Sequence, residues 1–171
     1  FAVQSEIPIA QDAAPGPEGN PSPKLAVMGA IVRREAVDFY QKAAESASIG
    51  LSALGWLPEA NLRGLDFCGA IGENEAMAVV SVRPDEIGID VVQNGRVLFS
   101  RGAVVPLPAP GDASPGPFIE AVSIELVRSL HSYSGLSLPP PVSLLVTGST
   151  GHEKAVADAV QKVGFLQHTE L

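Results

Sequence analysis

The sequence predicts an α/β fold built on a mixed sheet, and three observations carry that prediction. Residues 77–104, MAVVSVRPDEIGIDVVQNGRVLFSRGAV, read as three short strands joined by turns. Asn94-Gly95 has the composition of a type I′ hairpin turn, which needs positive φ at both central residues, and Pro84-Asp85 supplies the turn before it. After this meander come a helical repeat over 118–133, a strand-length apolar run at 142–146 and a second helical pattern over 153–163. A strand reached through a helix in this way is expected to extend the meander in parallel.

At the start of the chain, FAVQSEIPIA holds one short strand candidate, and QDAAPGPEGNPSP is a loop without periodicity. Residues 24–31, KLAVMGAI, form an apolar run expected to be a strand buried on both faces. Residues 33–47 read as a helix, with Val37, Tyr40, Ala44 and Ala47 on one stripe. Residues 49–57 are a second strand candidate ended by Pro58, so strand, helix and strand suggest a parallel crossover. Residues 61–76 are expected to be a connector with one helical turn.

A regular ladder about Asn94-Gly95 sets Gln93 opposite Arg96, Val91 opposite Leu98 and Ile89 opposite Ser100 on the inward side. The other side then carries Val92 with Val97, Asp90 with Phe99 and Gly88 with Arg101, half covered, with Asp90 and Arg101 as a diagonal ion pair. Residues 106–117 are too rich in Pro and Gly to be anything but loop. In the helix over 118–133, Phe118, Val122, Leu126 and Leu130 recur every four residues. Thr150-Gly-His-Glu153 has capping-box spacing. The last helix shows Val156, Ala159, Val160 and Val163 on one face and stops at Gly164. The expected division is 1–66 and 67–171.

Composition narrows the function classes. The 171 residues suffice for one domain or slightly more, and the net charge of −8 leaves no basic stripe to release counterions from a nucleic acid. One cysteine, Cys68, excludes an internal disulfide and suits a reducing compartment. It is expected to be a small buried or half-buried side chain. No window has the unbroken apolar length of a membrane span, and no signal peptide is recognisable. Because the chain starts at Phe1 rather than Met, it is expected to be a processed product or an excised fragment.

Motifs of catalysis are scarce. Neither GxxxxGK[ST] nor GxGxxG occurs, no serine sits in G-x-S-x-G, and no metal partner lies at ligand spacing from His131, His152 or His168. Those histidines are expected at the surface or at a cap. The loop Thr147-Gly148-Ser149-Thr150-Gly151, between a strand and a helix, has ligand-binding character, because backbone amides there can hold an anion. A tight turn and cap is the other reading.

Several stretches, in order, resemble the actin-like ATPase superfamily, and within it the PilM-type pilus assembly proteins and the cytoplasmic part of GspL-type secretion proteins. Glu6-Ile7-Pro8-Ile9 resembles the family's "IPF" segment, and KLAVMGAIVRREAVDFYQKAAESASI its strand, tyrosine-bearing helix and following turn. IGIDVVQNGRVLFSRGA resembles the meander of the second phosphate region, IELVRSLHSY a family helix, and SLLVTGST the adenosine loop. The resemblance implies an actin-like (ribonuclease H-like) half-domain, with an incomplete subdomain before it.

Where the family pattern has D-x-G, this chain has Ser81-Val82-Arg83, which loses a metal-organising carboxylate and a glycine that admits a phosphate. The adenosine loop has Gly148 and Gly151 but Ser149 where a second Gly is usual. The family's first phosphate loop would lie before Phe1, and the loop at 106–117 stands where a small subdomain is usually inserted. The resemblance therefore implies a non-catalytic scaffold without ATP or Mg²⁺, peripheral to the cytoplasmic side of an inner membrane. Its implied partner is the cytoplasmic tail of a pilus or secretion component, met by Glu6, Ile7, Pro8 and Ile9, and a homodimer is possible. The alternative is an actin-like ATP-binding protein completed by a longer parent chain or a second copy.

Overall fold

The computed structural model describes residues 2–7, 26–72, 74–108, 114–162 and 167–168. The chain divides into two units, Phe1–Leu57 and Pro58–Leu171.

In the first unit, β1 (Ala2–Ile7) and β2 (Ala26–Ile31) pair antiparallel, Ala2 opposite Ile31 and Ile7 opposite Ala26. Helix α1 (Arg34–Ser46) follows, within a residue of its expected bounds. Its apolar stripe exists but buries nothing fully: Val37 and Ala44 are half-buried, while Tyr40 and Ala47 are exposed. The side chains of residues 24–30 lie outside the described ones, and Ile31 at the end of β2 is fully exposed. The expected strand at 49–57 does not form. Residues 49–56 are irregular, so the parallel crossover is absent and β2 takes β1 as its neighbour instead. Pro58 was the misleading signal. It sits in the first turn of a helix, α2 (Leu57–Phe67), where a missing N–H costs nothing, rather than closing a strand. That helix also replaces much of the expected connector.

The second unit is a five-stranded mixed sheet in the order β5-β4-β3-β6-β7, formed by β3 (Met77–Val82), β4 (Ile87–Gln93), β5 (Arg96–Ala103), β6 (Ser143–Gly148) and β7 (Gln167–His168). The meander β3-β4-β5 is antiparallel, and β6 joins β3 in parallel, as expected. Asn94 and Gly95 have φ of 50° and 68°, the positive values a type I′ turn requires. Helices α3 (Gly116–Ser134) and α4 (Glu153–Lys162) complete the unit. Val163 and Gly164 lie outside the described residues.

Strand β3 is buried along its whole length, which requires cover on both faces. On the first face, Ala78, Val80, Val82, Ile87, Ile89 and Leu144 pack with Phe118, Val122 and Leu126 of α3 and Val156 and Val160 of α4. The second face carries Met77, Val79 and Ser81 of β3 with Asp90 and Val92 of β4, all buried rather than half covered. Over it lies α2, whose Leu62 and Leu65 are buried and whose Asn61 donates to Ser81 Oγ at 3.0 Å.

The hairpin ladder departs from the regular one. Gln93 faces Arg96 and Val92 faces Val97, but a bulge then sets Val91 opposite Phe99, Asp90 opposite Ser100 and Ile89 opposite Arg101. One extra residue on β5 moves every later side chain to the other face. Phe99 thereby reaches Tyr133 edge-to-face on the helix side, with ring centroids 5.8 Å apart. Arg101 reaches Glu125 of α3 at 3.3 Å, and Glu125 also binds Arg128 at 2.6 Å. The diagonal Asp90–Arg101 pair is therefore absent, because the bulge puts the two on opposite faces.

Leu126 is buried and Glu120, on the same helix, is exposed. Leu126→Ala should cost about 2–5 kcal/mol in denaturant unfolding, and Glu120→Ala less than about 0.5 kcal/mol. Equal effects would show that the buried stripe of α3 is misassigned.

Candidate functional site

Because β3 and β6 run in parallel, their C-terminal ends lie side by side, with Ser81 opposite Thr147 and Val82 opposite Gly148. The structure thus brings together the sequence-predicted Ser81 and Arg83 with the loop carrying Gly148, Ser149 and Gly151. Glu6 and Ile7 fall in β1, opposite Val27 and Ala26, while Pro8 and Ile9 lie outside the described residues.

Gly148 is required by sterics alone. Its φ is +154°, and a Cβ there would come within 2.5 Å of the Val82 carbonyl oxygen and 2.6 Å of the Glu153 carboxylate. Close pairing of the two strand ends explains this glycine without any ligand. Ser149 is exposed, and Gly151 has a φ of 85° in open space.

The amides expected to hold an anion are already occupied. Glu153, at the start of α4, accepts from the Thr150 amide at 2.6 Å, the Thr150 hydroxyl at 2.8 Å and the Gly151 amide at 2.9 Å. Thr150 Oγ1 in turn accepts from the His152 amide at 3.4 Å. The capping box is thus present, with the carboxylate gathering the loop around itself. Burial pushes the Glu153 carboxyl up, but the hydrogen bonds from the Thr150 amide, its own amide, the Thr150 hydroxyl and the Gly151 amide outweigh it. The group is held below its ordinary value of 4.5.

At the end of β3 sits a polar cluster that sequence reasoning did not assemble. Asp90 is 3% exposed, and burial raises its carboxyl above the usual range. The Ser100 hydroxyl, the Arg83 charge and the Asn61 amide pull the other way. Arg83 extends to Glu86 at 3.1 Å, leaving its Nε unpartnered among the described residues, as is Asp90 Oδ1. The available signal was an ionisable residue in mid-strand within IGIDVV. Its setting depends on the bulge, which puts Ser100 opposite it, and on α2, neither of which was expected.

Other candidate residues stand apart. Cys68 is exposed, contrary to expectation, because it follows α2 rather than packing beneath it. His131 is exposed in the last turn of α3, and His152 lies 5.5 Å from the Phe118 ring at the start of α4. Among the described residues no three His, Cys, Asp or Glu are grouped as metal ligands, and no helix is long and apolar enough to cross a membrane.

The first unit holds a site of another kind. A groove of about 240 Å³ runs between α1 and residues 51–57, lined chiefly by Val37, Tyr40, Leu51, Leu54, Trp56 and Leu57. Its lining is predominantly apolar, as peptide-binding grooves are.

Because Glu153 ionises more readily in the folded loop, it contributes stability that is present above its unfolded value and lost as pH falls through the lower folded one. Glu153→Gln should cost about 0.5–2 kcal/mol at pH 7, with the difference from the parent chain shrinking in acid unfolding below about pH 4. Gly148→Ala should destabilise at every pH, since the obstructing Val82 oxygen is backbone.

No protein-family model and no curated protein matches the chain. Among solved structures, a chain of the PilM-PilN type IV pilus biogenesis complex superposes with a TM-score of 0.72 at 17% identity, covering 99% of this chain and 56% of that one. A protein of unknown function with an actin-like ATPase fold from Bacteroides thetaiotaomicron gives a TM-score of 0.46 at 12% identity, over 98% of this chain and 52% of that one. The chain spans about half the length of the solved chains it matches, and it shares the fold of the corresponding half of the chain from the PilM-PilN complex, as an α/β half-domain.

Proposed function

We propose that this chain is a non-catalytic adaptor that acts by binding protein within a type IV pilus or type II secretion-like assembly. It works on the cytoplasmic side of an inner membrane, peripheral to it, and takes the cytoplasmic tail of a membrane component as its partner. Glu153 is the observation that carries this reading. Its carboxylate occupies the Thr150 and Gly151 amides that an anionic ligand would need. Ser81 adds to it, placing a hydroxyl where the family pattern has a carboxylate for Mg²⁺. A phosphate entering the loop would have to displace a hydrogen-bonded carboxylate of the same charge sign.

The apolar groove of the first unit supports the binding half of the proposal. Its tyrosine and tryptophan are residue types that dominate binding energy in protein interfaces. The resemblance to a PilM–PilN complex supplies the class of partner to test first. A second reading, an ATP-binding protein completed by a longer parent or a second copy, is favoured by one observation: Ser81 and the Gly148 loop do converge.

Calorimetry with Mg·ATP separates the two readings. The adaptor reading expects a Kd in the millimolar range or weaker, about −4 kcal/mol. Thermal unfolding should stay put at ATP concentrations that would add about 2.7 kcal/mol if they reached a hundredfold Kd. Micromolar binding would establish the second reading. In the same series, cytoplasmic-tail peptides of co-encoded membrane proteins should bind the parent chain, and Tyr40→Ala should weaken that binding about tenfold.

A further inference from the structure

The Asp90 cluster has a feature that neither strand pairing nor the adaptor role accounts for. A carboxylate buried to this degree is ordinarily surrounded by donors. Here Oδ1 has none among the described residues, and Asp90 lies opposite Ser100 of β5 on the face that α2 covers. Asn61 Nδ2 of α2 donates to Ser81 Oγ at 3.0 Å, on the same face of the sheet as Asp90, so the helix reaches the polar part of that face.

The charged surroundings are sparse. Arg83 acts on Asp90 from β3, but its guanidinium is drawn to Glu86. From β5 the facing group is the neutral Ser100, since Arg101 points to the other face and pairs with Glu125. From α2 no charge faces it: Glu59 and Arg63 pair with each other at 2.6 Å, and Asp66 is exposed.

We propose that Asp90 is a proton-operated clasp on α2, holding the helix seated on the sheet when protonated and loosening it when ionised. A neutral carboxyl under the helix loses far less hydration than a charged one, so the charged form gains by letting water in. The strands cannot open to admit that water, because β3 is paired on both sides and β4 is paired with β3 and β5. Helix α2 can. Leu62 and Leu65 are its buried residues, and Asn61 is its polar tie to the sheet.

Hydrogen exchange of the full chain, followed by mass spectrometry and corrected for intrinsic rates, tests the clasp between pH 4 and pH 7. Burial raises the Asp90 carboxyl from 3.8, so the seated state binds the proton more tightly than the open one. Protection of residues 57–67 should therefore fall as pH rises, by up to about tenfold per pH unit, and level off once Asp90 is ionised in the seated state. Peptides from β3 and β6 should keep their protection throughout. In Asp90→Asn the fall should vanish and α2 should stay protected. In Asn61→Ala, α2 should be less protected at all pH values. PH-independent protection of 57–67 in the parent chain would overturn the proposal, and so would a fall shared equally by β3 and β6. Both are read from the parent chain, even if a variant does not fold.

Discussion

Burial of β3 on both faces is the constraint from which the rest of the second unit follows. Six consecutive residues, Met77 to Val82, are inaccessible, so helices are needed above and below them. On one side α3 and α4 answer with a continuous apolar cluster. On the other side α2 answers with two leucines and an asparagine, and the face it covers contains Ser81 and Asp90. One layer is an ordinary core. The other mixes apolar and ionisable groups, which makes α2 the helix most sensitive to charge.

The same parallel pairing that completes the sheet also determines what its end can bind. Gly148 must pass beneath the Val82 carbonyl, and Glu153 then folds back onto the loop that follows. Each feature has a local stabilising role. A glycine in a strand-to-helix loop is therefore weak evidence of a nucleotide site until the amides beside it are shown to be free. Here two of them are engaged by the chain's own carboxylate.

Much of this was legible in the sequence where local chemistry dictates local geometry. Asn94-Gly95, the four-residue repeat from Phe118 and the Thr150–Glu153 spacing each name a structure through turn, periodicity or cap. The bulge was not legible, because Leu98 and Phe99 are equally suited to either face and composition does not mark a one-residue shift. Residues 49–57 misled for a related reason: LSALGWL is apolar without a decisive period, and Pro58 can end one element or begin another. At the site, the loop glycines and Ser81 were visible as motifs. The Asn61–Asp90–Ser100 cluster was not, since it joins three elements through a tertiary register that no short motif encodes.

The bulge also bears on how the chain behaves at high concentration. Among the described strands β5 is an outer edge of the sheet, with unpaired backbone groups along one side. An edge of eight residues, flat and regular, would be a template for strand pairing between copies. The extra residue near Leu98 bends and twists it, and Arg96 at one end and Arg101 further along place charge on it. The irregularity that brings Ser100 to Asp90 thus also makes this outer edge a poor nucleus for aggregation.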